Sequence, residues 1–334
     1  MGQVGQRTWQ LQGRAKVIAS AAVGGPKEME CAFSDDFDQL HEDPYLGQPS
    51  WEKAERRLLE EAIAETLRKG KIEAQKVNLL FAGDLLNQII SSTFAAQTAG
   101  VPYFGLFNAC ATAGEALALA ALLIESGMAT YTLAGAVSHN ASAERQMRFP
   151  TEYGSQRPKT AQWTVTAAGA GLLSATGEGP SVTWVTVGRV VDSAMSDPYN
   201  MGMAEVPAAV DTLVTHFKES GRKPSDYDLI VTGDLAAYGL EAAQQLLRDA
   251  HLDLGERLMD AGATYYGSDP SVQAGASGAG CIASFLFGHL LTRMRRHELN
   301  RLLVVATGSL HSPVSIEQGD NIPCIAHAVA LENN

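Results

Sequence analysis

Along this chain, short apolar runs rich in Val, Ile and Leu alternate with longer stretches whose apolar positions return at helical spacing. Residues 15–24 (AKVIASAAVG) predict a strand, followed by a Gly-Gly-Pro turn and an acidic, turn-rich surface loop. Ser50 is a good N-cap for a helix over 51–69, with Trp51, Ala54, Leu58, Ala62 and Leu67 near one face and Gly70 as the stop. Strands follow at 77–85 and 101–109, with a helix opening at Asp84 between them. From Cys110 to Gly127 the chain is almost wholly Ala, Leu and Ile, apolar on every side, which predicts a helix buried all round. A strand at 129–139, a long polar loop over 140–163 and a strand at 164–175 complete this part.

After Gly177 the pattern starts again. A strand at 181–194 and a helix over 206–220 lead to DLIVTGDLAAYG (228–239), which echoes NLLFAGDLLNQ (78–88). The apolar stretch 278–299 takes the place of the buried helix, with Cys281 near its start, and 301–313 echoes 130–142. Three motifs recurring in one order predict a duplicated α/β chain with halves 1–178 and 179–334. Buried strands alternating with helices predict mainly parallel, helix-covered sheets, with the two buried helices packed together between them. The site is then expected where helix N-termini meet strand C-termini.

Composition narrows the function. Hydrophobic residues make up 46% of the 334 and charged residues 19%, which fits a large-cored globular chain, and the net charge of −12 argues against nucleic acid as a partner. The four cysteines are far apart and form no CxxC pair, which predicts a reducing compartment without a zinc site, and no metal ligands are expected. Met1–Arg14 is too polar for a signal peptide, and the longest apolar runs are too short to span a bilayer. The aspartates of the acidic loop lack EF-hand spacing.

Two α/β halves, a Cys opening the buried helix of the first and a Gly-rich opening to its counterpart in the second resemble the thiolase fold shared by thiolases and ketoacyl synthases. That resemblance implies duplicated halves layered α-β-α-β-α around buried central helices, and a homodimer as in such relatives. Five stretches are similar, more specifically, to a sporulation branch of that superfamily. They are SWEKAERRLLEEA, SHNASAERQMRFPTEYGSQRPKTAQWTVTAAGA, SDPYNMGMAEVPAAVDTLVTHF, DYDLIVTGDL and LLVVATGSLHSPVSIEQGDNIPCIAHAVALE. This second resemblance implies a protein of endospore formers that binds dipicolinic acid (pyridine-2,6-dicarboxylate), alone or as its calcium chelate. It implies work with integral membrane subunits of the same operon, peripherally at the cytoplasmic face of the developing spore's inner membrane. Uptake in sporulation and release in germination are the expected tasks, with no cofactor.

A condensing enzyme needs a Cys nucleophile, a His or His/Asn pair for protons and the thioester oxygen, and a path for its acyl carrier. Cys110 matches the nucleophile, and a helix N-terminus favours a thiolate there. Asp234 stands where a catalytic His is expected, and Ser277 where an Asn or His is expected. An Asp cannot supply a neutral N–H and opposes ionisation of the thiol. The chain is therefore expected to bind a ligand without catalysis; acyl transfer from Cys110 is the alternative.

For a flat aromatic dianion, the stretch 140–163 offers Arg145, Arg148, Arg157 and Lys159 interleaved with Phe149, Tyr153 and Trp163, and it serves equally well as a basic surface for a partner subunit. The expected ligand contacts are Cys110, His139, Arg145, Arg148, Tyr153, Asp234 and Ser277. The amides of the two buried helix N-termini are further donors. His139 reads as the better pocket histidine and His311 as a turn residue. Asp84 and Asp234, equivalent in the repeat, are expected to cap the helices that follow them.

Overall fold

The computed structural model describes residues 2–147 and 157–333. In the first part, strands β1 (Lys16–Gly24), β2 (Leu79–Gly83), β3 (Tyr103–Gly105), β4 (Tyr131–Ser138) and β5 (Ala167–Ser174) lie in the order β1-β5-β4-β2-β3. In the second part, β6 (Ser181–Thr186), β7 (Leu229–Thr232), β8 (Leu258–Asp260), β9 (Arg301–Ser309) and β10 (Pro323–Glu332) repeat it as β6-β10-β9-β7-β8. The two sets meet where Ser181 of β6 pairs with Lys16 of β1. Neither sheet is mainly parallel. β2 runs parallel to β3 and β4, but β5 is antiparallel to both of its neighbours, and β7–β10 reproduce that mixture. Periodicity reports burial rather than strand direction, so the sequence did not distinguish these cases.

Helix α1 (Trp51–Gly70) starts where Ser50 accepts from Lys53 N and covers the outer face of the first sheet. There Leu58, Leu59 and Ile63 pack with Leu80, Leu133 and Leu172. Its stop is Lys71 in a left-handed conformation, not Gly70. Gly70 instead lies so close to the sheet that a Cβ there would meet Leu172 Cδ2 at 2.6 Å. Helix α2 (Ile90–Ala99) packs beside α1. On the outer face of the second sheet, α5 (Met201–Ser220) buries Leu213 and Phe217 against Ile230, Leu303 and Val305, with α6 (Ala236–Asp249) beside it.

Between the sheets lie α3 (Thr112–Glu125) and the helix spanning 279–295, here α7, whose middle turns (Phe285–Leu290) are π-helical. Leu117, Ala121, Ile124, Ile282, Phe285 and Leu286 join one core with residues of both sheets, including Phe81, Leu173, Val304 and Val329. Each central helix also presses on the sheet of the other part: α3 touches β9 and β10, and α7 touches β1, β4 and β5. The result is the expected five-layer α-β-α-β-α order. One further helix, α4 (Asn140–Met147), forms where a polar loop was expected. Its buried residues, Ser142, Ala143 and Glu144, are few and mostly polar, so they give it no apolar stripe in the sequence. Among the described residues, no helix is long and apolar enough to cross a membrane.

The central layer tolerates little added volume. A Cβ at Gly169 of β5 would lie 2.2 Å from the Ala283 carbonyl oxygen of α7, and a backbone oxygen there cannot swing away. Gly169→Ala should therefore cost about 1–3 kcal/mol of stability, as overpacking does, measured by urea unfolding. An unchanged midpoint would contradict the close seating of α7 on β5.

Candidate functional site

Cys110 sits in a single 3-10 turn (Ala109–Ala111) between β3 and α3. Ala109 takes φ +48°, a left-handed conformation that non-glycine residues seldom adopt. This sharp turn sets Cys110 against the ends of strands from the second sheet: a Cβ on Gly308 of β9 would lie 2.8 Å from both Ala111 N and Asn108 O. Cys110 is buried and lines a cavity of about 40 Å³. Leu85, Met147, Pro198 and Met201 give this cavity apolar walls, while Thr164, Ser277, Gly278, Ser309 and His311 contribute polar groups. A groove of about 170 Å³, bordered by Phe107, Gln146 and Pro313, shares Leu85, Ala109, Met147, Ser309 and His311 with it.

Three ionisable groups from separate elements meet below this cavity. Cys110 Sγ and one carboxylate oxygen each of Glu205 (α5) and Asp234 (after β7) lie within 4.8 Å of one another, and all three residues are buried. Asp234 Oδ2 accepts from Gly278 N at 2.9 Å, and Oδ1 accepts from Thr307 Oγ1 at 3.3 Å. Glu205 Oε1 accepts from Ser309 Oγ at 2.9 Å. Gln162 ties the supports together, donating to Asp234 O at 2.7 Å and accepting from Gly202 N at 3.0 Å.

Burial penalises charge on all three groups. It pushes the Asp234 carboxyl up to about 7. Glu205 rises well above the carboxylate range through burial and then through Asp234. Burial, followed by Asp234 and Glu205, pushes the Cys110 thiol well above its ordinary value. The helix N-terminus expected to favour a thiolate is outweighed by desolvation and two acidic neighbours.

The structure thus brings Cys110, Asp234 and Ser277 together. Ser277 belongs to a short strand (Ala276–Ser277) that pairs with Trp163–Thr164, and this pairing places Thr164 and Ser277 on the same cavity. His139 does not line the cavity. Its ring is buried elsewhere, with Nε2 donating to Pro44 O at 2.8 Å and Nδ1 accepting from Ala141 N at 3.1 Å. Both nitrogens are used within the backbone framework. Arg145 also points elsewhere: it pairs with Glu52, and its guanidinium lies 5.3 Å from the Trp51 ring centroid. Arg157 pairs with Glu144 at 3.2 Å and covers Trp163. Arg148, Phe149 and Tyr153 lie outside the described residues. His311, read as a turn residue, lines both the cavity and the groove.

At the start of α7, two of the amides expected as anion donors are taken. Gly278 N goes to Asp234, and Gly280 N donates to Ser138 Oγ at 3.0 Å. Asp84 caps as expected, accepting from Leu86 N (2.8 Å) and Ser92 N (2.7 Å). Asp234 does not cap α6. Asp260 takes that position, accepting from Leu235 N (3.0 Å) and Ala236 N (2.9 Å), which leaves the Asp234 carboxylate to face Cys110.

Glu205, Thr307, Asn108 and His327 were not anticipated. Glu205 follows a run of small residues in α5, where nothing local marks it, although a lone acid among Gly, Met, Ala and Val is itself a weak signal. His327 is masked by the apolar alternation of β10. Its Nδ1 accepts from Gly188 N at 3.2 Å, so the neutral ring carries its proton on Nε2, which lies 2.8 Å from the Asn108 amide. That pairing is satisfied when Asn108 presents its oxygen to the ring.

The layered fold, with a cysteine at the head of a buried helix, defines a thiolase-fold protein. A crystal structure of OleA from Xanthomonas campestris has a TM-score of 0.63 to this chain at 13% identity, covering 97% of it and 100% of OleA. The 3-oxoacyl-(acyl carrier protein) synthase III of Xanthomonas oryzae gives 0.61 at 14% identity, covering 97% of this chain and 100% of that one. The corresponding synthase of Aquifex aeolicus gives 0.61 at 14%, covering 95% and 99%. Identities this low speak for fold alone. The profile of the stage V sporulation protein AD family matches residues 5–332. Stage V sporulation protein AD of Bacillus subtilis (strain 168) is 41% identical over 332 residues, 99% of this chain and 98% of that protein. The chain belongs to the stage V sporulation protein AD family.

Burial holds His327 down to about 4, below its ordinary 6.5. The folded state therefore binds fewer protons than the unfolded state between those values, and this residue's contribution to stability falls as pH drops from 6.5 toward 4. Urea unfolding of wild type and His327→Gln should show the wild-type advantage shrinking by about 1.4 kcal/mol per pH unit across that window. A difference independent of pH would contradict a buried neutral imidazole.

Proposed function

We propose that this chain is a non-catalytic, dipicolinate-binding subunit of the machinery that moves dipicolinate into the developing spore and releases it in germination. It would act peripherally at the spore inner membrane, with membrane-embedded subunits of the same system. The observation that carries the non-catalytic reading is Asp234. A condensing enzyme needs a proton-handling imidazole and N–H donors facing the thioester oxygen. Here a buried carboxyl faces Cys110 instead, and the thiol stays protonated.

The ligand is assigned from the resemblance to dipicolinate-binding sporulation proteins; the cavity, at about 40 Å³, is too small to hold it alone, so the proposed site is the cavity together with the adjoining groove of about 170 Å³. Leu85, Met147, Pro198 and Met201 offer flat apolar contact for a pyridine ring, and Thr164 and Ser277 offer hydroxyls to carboxylates. Among the described residues, neither the cavity nor the groove is lined by Lys or Arg. The ligand's charge is proposed to be met by Arg148, with Tyr153 five residues further on, both among the expected ligand contacts of the stretch 140–163. Arg148 directly follows Met147, which lines both spaces.

Acyl transfer from Cys110 is the second reading, favoured by His311, the one histidine among the described residues lining the cavity. Calorimetry on the full chain, paired with intact-mass analysis after exposure to acyl thioesters, separates the two. The binding reading expects heat on titrating dipicolinate and no mass gain. Arg148→Ala should weaken binding about 10- to 100-fold, the worth of a charged hydrogen bond, and Arg145→Ala should leave it within about twofold, as a surface ion pair allows. No heat at millimolar dipicolinate would overturn the ligand assignment. An acyl adduct lost in Cys110→Ser would overturn the non-catalytic reading.

A further inference from the structure

The dipicolinate reading gives Glu205 no role. Glu205 is 1% exposed, and while its Oε1 accepts from Ser309, its Oε2 has no hydrogen-bond partner among the described residues. An orphaned carboxylate oxygen at such depth is costly unless something meets it. One Glu205 carboxyl oxygen, one Asp234 carboxyl oxygen and Cys110 Sγ lie within 4.8 Å of one another.

We propose that Cys110, Glu205 and Asp234 form a site for one divalent transition-metal ion of the zinc class, with a fourth coordination position open toward the cavity. Zinc binds thiolate at about 2.3 Å and carboxylate at about 2.0–2.2 Å, so its ligand atoms stand roughly 3–4 Å apart. In the proposed site the three ligand atoms, now within 4.8 Å of one another, close to that spacing around the ion. One sulfur with two carboxylates suits zinc or cobalt better than calcium or magnesium, which take oxygen-only shells. Three protein ligands with one open position is the arrangement of zinc sites that accept a further ligand.

The surroundings fit an outer shell. Ser309 Oγ holds Glu205 Oε1 at 2.9 Å, while Gly278 N and Thr307 Oγ1 hold the two Asp234 oxygens at 2.9 and 3.3 Å. Such contacts orient ligating carboxylates. The ligands come from the turn before α3, from α5 and from the segment after β7, and Gln162 fixes the last two relative to each other. On binding, Cys110 Sγ forms the sulfur–metal bond and releases its proton to solvent, and any carboxyl protons leave in the same way. The inference stands apart from the ligand reading, because the ion alone is the probe.

Full-length protein, stripped with a chelator and kept reduced, is titrated with Co²⁺ and followed by absorbance. The expected result is a thiolate-to-cobalt charge-transfer band that saturates at one equivalent and is displaced by Zn²⁺. The band should vanish in Cys110→Ser, which keeps the other three cysteines. It should need about tenfold more Co²⁺ in Ser309→Ala, which removes only an outer-shell contact, with circular dichroism verifying the fold of each variant. Absence of the band in folded wild type, its persistence in Cys110→Ser, or an unchanged titration in Ser309→Ala would overturn the proposal.

Discussion

The whole arrangement depends on holding two helices between two sheets with almost no room to spare. α3 and α7 each touch strands of the opposite sheet, and the contacts are made by Gly and Ala. A Cβ at Gly114 of α3 would meet Ala306 of β9 at 2.6 Å, and one at Gly280 of α7 would meet the Ala167 carbonyl at 2.1 Å. Small residues let the backbones approach, and larger ones such as Leu117, Phe285 and Leu286 fill the space alongside. This seating brings the starts of both helices to the same depth as the ends of β7 and β9. Cys110, Asp234, Gly278 and Ser309 meet there for that reason.

The same seating sets the chemistry. At that depth a charge is expensive, so the two carboxyls and the thiol all resist ionisation; burial dominates, Asp234 further raises Glu205, and both acids further raise Cys110. A helix N-terminus next to a cysteine reads as activation when considered alone. Here the thiol is buried and faces two acids, one of which, Asp234, takes the Gly278 amide at the start of α7. The divergence between the two parts of the chain follows from one substitution of roles. Asp84 still caps its helix, whereas Asp260 caps α6 and frees Asp234 to face the cavity.

Most of the architecture was legible because the buried helices and strands leave long, simple apolar patterns. Cys110 and Asp234 stood out against those patterns, and Ser277 fell at a position the resemblance marks. Strand direction was not legible, since parallel and antiparallel buried strands read alike. α4 escaped notice because only a few of its residues are buried. Glu205 and His327 were hidden for a different reason: each becomes part of the site through contacts with residues more than 100 positions away (Glu205 with Ser309, His327 with Asn108), which no local window records. His139 and His311 exchanged roles. Sequence neighbours favoured His139, but the Pro44 carbonyl holds it, and the end of β9 delivers His311 to the cavity.

In the proposed function Cys110 is the floor of a ligand cavity rather than a nucleophile. The most direct measurement is the rate at which a small alkylating reagent modifies Cys110, followed by peptide mass spectrometry with increasing dipicolinate. The expected result is slow modification that dipicolinate slows further in a saturable way, with Cys31 and Cys281 unaffected. Rapid modification of Cys110 at neutral pH, or a rate indifferent to dipicolinate, would contradict it.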